Sequence, residues 1–410
     1  MTPEIKGFLL LATAKILVVF TVIMVGVMMV IWLERRYSGW LQDRLGPNRV
    51  GPQGLLQSVA DGIKNIMKEE TWPTEADKTL FLLAPTMAFV PALLLFAVVP
   101  FGAPLPVTFD FTLPLLGRFA HDGPVPMIIA DIPIGFLMIL AFSSLAVYGI
   151  VLAGWASNSK YAFLGGLRAS AQMISYEIAL GLSAVAVLLL AGNVTLGEVI
   201  RVQQEGVWFV FALTLGCIFF MISALAETNR LPFDLPEAEA ELITGYHTEY
   251  SSMKFSMFFI AEYAALITFS AFLATAFFGG WDVPFTTWDE RVPAGWSVGA
   301  AARVAITHLA FFVKMAFFVW VYIWVRWTLP RFRFDQLMFL GWKVLLPVAI
   351  GYIMVMATAI LVLDTLGVPQ DWRYGMALFL VNLPLLGLLL FVLDRGRLMA
   401  GSMQRARLEV

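Results

Sequence analysis

Phe8-Leu-Leu-Leu-Ala-Thr-Ala-Lys-Ile-Leu-Val-Val-Phe-Thr-Val-Ile-Met-Val-Gly-Val-Met-Met-Val-Ile-Trp-Leu33 decides the fold, because Lys15 is its only charge. The run exceeds the ~20 residues an α-helix needs to cross the hydrocarbon core of a bilayer. It is too long for the core of a signal peptide, so it reads as a first span and no cleavable signal is expected. Eight further apolar stretches follow, at 80–100, 127–152, 173–191, 207–226, 254–278, 303–326, 341–363 and 376–393. The chain has 410 residues, 60% hydrophobic and 14% charged, more apolar than any water-soluble domain requires. The expected fold is all-α: a polytopic membrane helix bundle of about nine transmembrane helices. Residues 1–393 form one domain, and 394–410 a polar cytoplasmic tail.

Composition also excludes chemistry. The one cysteine, Cys217, lies in an apolar run, which rules out intrachain disulfides and iron–sulfur ligation and suits a small buried hydrophobe. Of the three histidines, His121, His247 and His308, only the last falls well inside a span, so paired haem ligation is not expected. There is no Gly-rich dinucleotide fingerprint and no phosphate loop. A net charge of −2 with no basic tract gives no sign of nucleic acid. Any electron carriers belong to partner chains.

Lysine and arginine orient the chain. Eighteen of them fall in 34–79, 153–172, 227–253, 326–343 and the tail; five fall in the N-terminus and the alternate loops. The positive-inside rule then places the N-terminus outside and the C-terminus in the cytoplasm. Tryptophans mark both borders, with Trp281, Trp288 and Trp296 outside and Trp320, Trp324 and Trp327 near the inner face.

The first inner loop is Gly-Pro punctuated (Asp43-Arg-Leu-Gly-Pro-Asn-Arg-Val-Gly-Pro-Gln-Gly54), as in a chain held in fixed turns. After it, Leu55, Leu56, Val59, Ile63, Ile66 and Met67 share one helical face, opposite Gln57, Asp61, Lys64, Asn65 and Lys68. This predicts a helix lying along the membrane interface or packing on a partner.

Glu227-Thr-Asn-Arg-Leu-Pro-Phe-Asp-Leu-Pro-Glu-Ala-Glu-Ala-Glu-Leu-Ile-Thr-Gly-Tyr-His-Thr-Glu-Tyr250 holds six carboxylates: Glu227, Asp234, Glu237, Glu239, Glu241 and Glu249. Arg230 is the basic residue within it. Crowded carboxylates titrate as a coupled set, which suits a proton-loading site. A solvated acidic loop is the plain alternative, although Leu231, Phe233, Leu235 and Leu242 favour a folded one. Burying a charge at the bilayer centre costs ~2.5–3.5 kcal/mol on insertion scales. Glu177, near the inner end of the fourth span, and Glu262, in the sixth, therefore need a use or a partner. With Glu227 at the end of the fifth, they are expected at one depth beside the acidic loop. Lys15 reads as a snorkelling residue, Asp131 as a helix cap or a site, and His308 as packing or relay.

With these residues in view, the chain resembles the quinone-site membrane subunit of respiratory complex I, the H-type subunit of bacteria and subunit 1 of mitochondria. The motifs are Glu34-Arg-Arg-Tyr37, Gln42-Asp-Arg-Leu-Gly-Pro-Asn-Arg-Val-Gly-Pro52, Ala60-Asp-Gly-Ile-Lys64, Gly154-Trp-Ala-Ser-Asn-Ser-Lys-Tyr161, Ser175-Tyr-Glu177, Glu227-Thr-Asn-Arg-Leu-Pro-Phe-Asp234 and Ala261-Glu-Tyr263. The resemblance implies a subunit of proton-translocating NADH:quinone oxidoreductase without a redox centre of its own. Quinone is the substrate, and FMN and iron–sulfur clusters sit on partner subunits. It further implies contact with two peripheral-arm subunits and with antiporter-like membrane subunits. Glu34, Arg35 and Asp61 then belong to the quinone chamber. Glu177, Glu227, Asp234, Glu237, Glu239, Glu241, Glu249 and Glu262 belong to a proton path, with Arg230 as partner of the acidic loop. The ninth span favours a bacterial cytoplasmic (inner) membrane. Residues 103–126 have no role in the family pattern.

The nearest rival is the homologous membrane subunit of an energy-converting hydrogenase, to be told apart by copurified partners. A stand-alone ion-coupled transporter is the other; it would call for paired discontinuous helices, which the sequence does not suggest.

Overall fold

The computed structural model describes residues 2–114, 117–236, 242–284, 286, 288 and 297–394. Its first helix, α1 (Pro3–Leu41), starts where Thr2 Oγ1 accepts from the Ile5 amide and Pro3 occupies the first helical position. At 1.5 Å per residue its 39 residues run ~58 Å, well beyond a ~30 Å hydrocarbon core. Glu34 and Arg35, expected in the first loop, are therefore helical. Val19, Ile23, Val27, Val30, Glu34 and Ser38 form its buried stripe, at the three- and four-residue spacing of one helical face.

The interfacial helix is α2 (Gln57–Met67), which buries none of its residues fully. Ser58 Oγ donates to the Met28 carbonyl, and Ser252 Oγ donates to the carbonyls of Asn65 and Lys68. These bonds fasten α2 to two membrane helices. Next, α3 (Lys78–Leu94) begins at Asp77, which caps the Thr79 and Leu80 amides, and runs on as a 3-10 turn to Val98.

Residues 102–127 hold four short strands, β1 (Gly102–Leu105), β2 (Phe109–Leu113), β3 (Gly117–His121) and β4 (Val125–Met127), paired antiparallel as β1 with β4 and β2 with β3. They are minor additions to a helical bundle, in the stretch to which sequence assigned no role. Arg118 and Asp110 pair across the hairpin, and each holds the other in its charged form, Asp110 lowered and Arg118 raised.

Then come α4 (Gly135–Ala156) and α5 (Lys160–Ala191). The third span thus starts later than 127, and Asp131 lies in the connection before it. Asp131 caps nothing: the position before α4 is Ile134, with no side-chain cap. The fourth span starts earlier than 173, so Glu177 sits in the middle of its helix rather than near an end. At Gly149 an added Cβ would stand 2.7 Å from the Ala88 amide nitrogen, so α3 and α4 touch backbone to backbone, as small residues allow in membranes.

After α6 (Leu196–Glu205), the fifth expected span is broken into α7 (Phe209–Ala212) and α8 (Thr214–Glu227) at Leu213. A break inside a bilayer is tolerated where its freed backbone groups find partners in the protein. Here Asn382 Nδ2 donates to the Ala212 carbonyl at 2.6 Å. Then follow α9 (Ser252–Phe277), α10 (Val298–Thr328), α11 (Phe334–Thr365) and α12 (Trp372–Asp394). A π-helical segment, Leu340–Leu345, lies in α11 where it crosses α5. Tyr176 OH donates to the Leu337 carbonyl, and Trp342 Nε1 to Ser175 Oγ. Eight described helices are long and apolar enough to cross a membrane, and α8 is a shorter apolar one, in line with the expected bundle of about nine. Cys217 is buried, as expected. Residues 395–410 of the tail lie outside the described residues.

Candidate functional site: an ion-paired chamber beside a small acidic cavity

A cavity of about 770 Å³ opens between α1, α2, α9 and the segment after α8. Its walls are apolar along Met24, Val27, Ile31, Ile63, Phe259 and Ile260, and its polar end holds Glu34, Arg35, Asp61, Arg230, Asp234 and Glu262. That is the usual make-up of a site for a largely apolar small molecule with a polar head.

The polar end is a web of buried charge. Arg230 Nη1 lies 2.7 Å from Glu34 Oε2, and its Nε lies 2.5 Å from Glu262 Oε1. Arg326 pairs with the other Glu34 oxygen, and Tyr263 OH donates to Glu34 at 2.9 Å. The Arg230 guanidinium stacks 3.9 Å over the Tyr263 ring. Glu34 and Arg230 are only 4% and 3% exposed. Burial opposes the Arg230 charge, but Glu262 and Glu34 outweigh it and hold the guanidinium well above its ordinary pKa. The local fold makes this possible: Asn229 takes the left-handed conformation just past the end of α8, and Arg230 N–H donates back to the Leu225 carbonyl. At the rim, Arg35 pairs with Asp61, which also accepts from Gln57 Nε2 at 3.1 Å. Arg331 Nη2 stands 3.0 Å from Asp234.

Behind the chamber lies a second, smaller cavity of about 60 Å³, lined by Glu227, Ser143, Asn229, Tyr246 and Glu262 among others. At ~30 Å³ per water it has room for about two. Neither carboxylate oxygen of Glu227 has a hydrogen-bond partner among the described residues. Glu177 accepts a hydrogen bond from Ser144 Oγ and lies close enough to Glu227 for their charges to interact, while the neighbouring Ser143 Oγ donates to the Leu140 carbonyl at 2.9 Å. Glu262 and Asn229 line both cavities.

The structure thus brings together Glu34, Arg35, Asp61, Arg230, Asp234 and Glu262 at the chamber, and Glu227 and Glu177 behind it. Glu249 is half-buried and lines neither cavity. Glu237, Glu239 and Glu241 lie outside the described residues. Sequence reasoning missed Arg326, Arg331, Tyr263, Ser143 and Ser144. Tyr263 adjoins Glu262 in a motif already singled out, and Arg326 was counted only as a border charge. Arg230 is therefore not alone in balancing the acids. Lys15 does more than snorkel, since its Nζ donates to the Ile128 carbonyl at 2.7 Å.

Fold and site together define a multi-pass membrane protein with a charged, apolar-walled chamber. A family model described as NADH dehydrogenase matches residues 14–357. An H-type subunit of NADH-quinone oxidoreductase from Koribacter versatilis is 48% identical over 86% of this chain and 98% of its own length. An H-type subunit of the same enzyme from Geobacter metallireducens is 48% identical over 83% of this chain and 94% of its own. NADH-quinone oxidoreductase subunit 8 of Rhodothermus marinus is 47% identical over 80% and 91%. The chain belongs to the NADH dehydrogenase family, among these membrane subunits of NADH-quinone oxidoreductase.

Proposed function

We propose that this chain is the quinone-site membrane subunit of proton-translocating NADH:quinone oxidoreductase. It holds the quinone in the 770 Å³ chamber, tail along the apolar wall and head toward the Glu34–Arg230–Glu262 web. FMN and the iron–sulfur clusters reside on partner subunits at the chamber's polar end, and antiporter-like subunits continue the proton path. The chain lies in a bacterial inner membrane with its N-terminus outside and C-terminus in the cytoplasm.

The observation that carries this reading is that Glu262 and Asn229 belong at once to the chamber and to the Glu227 cavity. When two electrons reach the quinone, two protons must follow to yield quinol, and the added negative charge acts on the nearest ionisable groups. Glu262 is ion-paired to Arg230 on one side and faces Glu227 across water-sized space on the other. A shift of Arg230 between Glu34 and Glu262 changes how strongly Glu262 is held as an anion. Glu227, without a donor among the described residues, and Glu177, held by the Ser144 hydroxyl, would take up the next proton.

The test is Glu227→Gln and Glu177→Gln in the assembled complex. Quinone-linked turnover should fall about a hundredfold or more, in the range of a lost general acid or base, while electron transfer from NADH to a soluble acceptor continues. Normal quinone reduction and full proton pumping in both variants would reject the reading.

A further inference from the structure

Beside the chamber, two adjoining cavities run along α1. One, of about 460 Å³, is an apolar groove between α1 and α10, walled by Val22, Gly26, Met29, Met315 and Val319. The other, of about 400 Å³, holds Arg36, Trp40, Arg44 and Asn48, of which Arg44 also reaches the rim of the chamber. Leu33 and Tyr37 line both. We infer that this is a binding site for an anionic phospholipid, its phosphate at Arg36 and Arg44 and an acyl chain in the α1–α10 groove.

Dimensions support a lipid. From Thr21 to Leu33 the groove covers twelve residues of rise, ~18 Å, close to the ~15 Å of one leaflet's hydrocarbon. Arg36 begins one turn beyond, where a phosphate would lie. Tyr37, Trp40, Trp320 and Trp324 cluster at the same level, as aromatic side chains do at a headgroup layer. Val22, Val25, Leu33 and Trp320 are each more than two-fifths exposed on membrane-spanning helices, so something apolar must cover them.

Charge specifies the head. Neither Arg36 nor Arg44 makes an ion pair among the described residues. Arg36 Nη1 donates to the Gln53 carbonyl at 2.9 Å and Arg44 Nε to Gln42 at 2.8 Å, so both are positioned without being neutralised. The cup is fixed by close backbone contact: a Cβ on Gly46 would stand 2.9 Å from Arg36 Cα, and one on Gly39 would stand 2.9 Å from the Gly46 nitrogen. A basic pocket beside membrane helices is a recurrent seat for acidic lipid heads. A partner helix fits less well, because the Tyr37 and Trp320 rings meet 6.5 Å apart and close the path of a body ~10 Å across.

The intact complex in lipid nanodiscs tests this with spin-labelled phosphatidylglycerol and phosphatidylcholine. Phosphatidylglycerol should show the larger motionally restricted fraction. Arg36→Gln, alone and with Arg44→Gln, should weaken its association about fivefold per arginine removed, with phosphatidylcholine unchanged. A diazirine on the acyl chain of phosphatidylglycerol, used on the unaltered complex, should label residues 21–37 and 312–323, which keeps the test independent of variant folding. Equal restriction of the two lipids, labelling elsewhere, or a photo-crosslinker at Leu45 capturing another polypeptide at this cup would each overturn the site.

Discussion

Arg230 shows what a single residue does here. Its side chain is 2% exposed and touches two carboxylates from helices far apart in sequence. A buried charge is tolerated because partners and hydrogen bonds replace its water, and removing one partner leaves the others uncompensated. Arg230→Met should therefore destabilise the chain by about 3–5 kcal/mol, read as a lower melting temperature of the assembled complex. Adding Glu34→Gln to that variant should restore part of the loss; a further drop would contradict the pairing. Tyr263→Phe is milder. It removes one hydrogen bond to a charged acceptor, worth about 1.5–3 kcal/mol, and should raise the KM for quinone more than it lowers NADH oxidation by soluble acceptors.

Elements matter through how they are tied. The helix α2 has little of its own core and depends on the Ser58 and Ser252 hydroxyls. Ser252→Ala leaves two carbonyls without that donor, and about 1 kcal/mol of anchoring goes with it. Amide exchange across 57–67 should quicken severalfold, while α9 itself stays protected. The break before α8 rests on Asn382 in the same way. Asn382→Leu leaves the Ala212 carbonyl buried without its side-chain donor and should cost about 1–3 kcal/mol. An unchanged melting temperature would mean that the carbonyl finds another partner.

For the whole molecule, the important relation is between the two cavities. Under the proposed function the quinone occupies only the large one, and proton coupling requires both. Ala146 lines only the small cavity. Filling that cavity with Ala146→Leu should reduce proton translocation per quinone reduced and leave the KM for quinone nearly unchanged. Equal loss of both would place the defect in folding or in the chamber.

The all-helical membrane fold, the amphipathic α2 and the family were legible in residue order, because crossing a bilayer demands long apolar runs and an interfacial helix demands a two-sided one. The ends of α1, α4 and α5 were not: hydropathy marks where lipid lies, whereas helices continue beyond it wherever their turns stay satisfied. The acidic residues stood out because charge is costly among apolar spans. Their partners did not, since Glu34 meets Arg230 and Arg326 across 196 and 292 residues of chain. Local composition determined which side chains had to find a counter-charge, a matter of solvation. Only the packing of α1, α9 and α10 decided which ones they found and left a chamber between them, because contact between distant helices depends on shape.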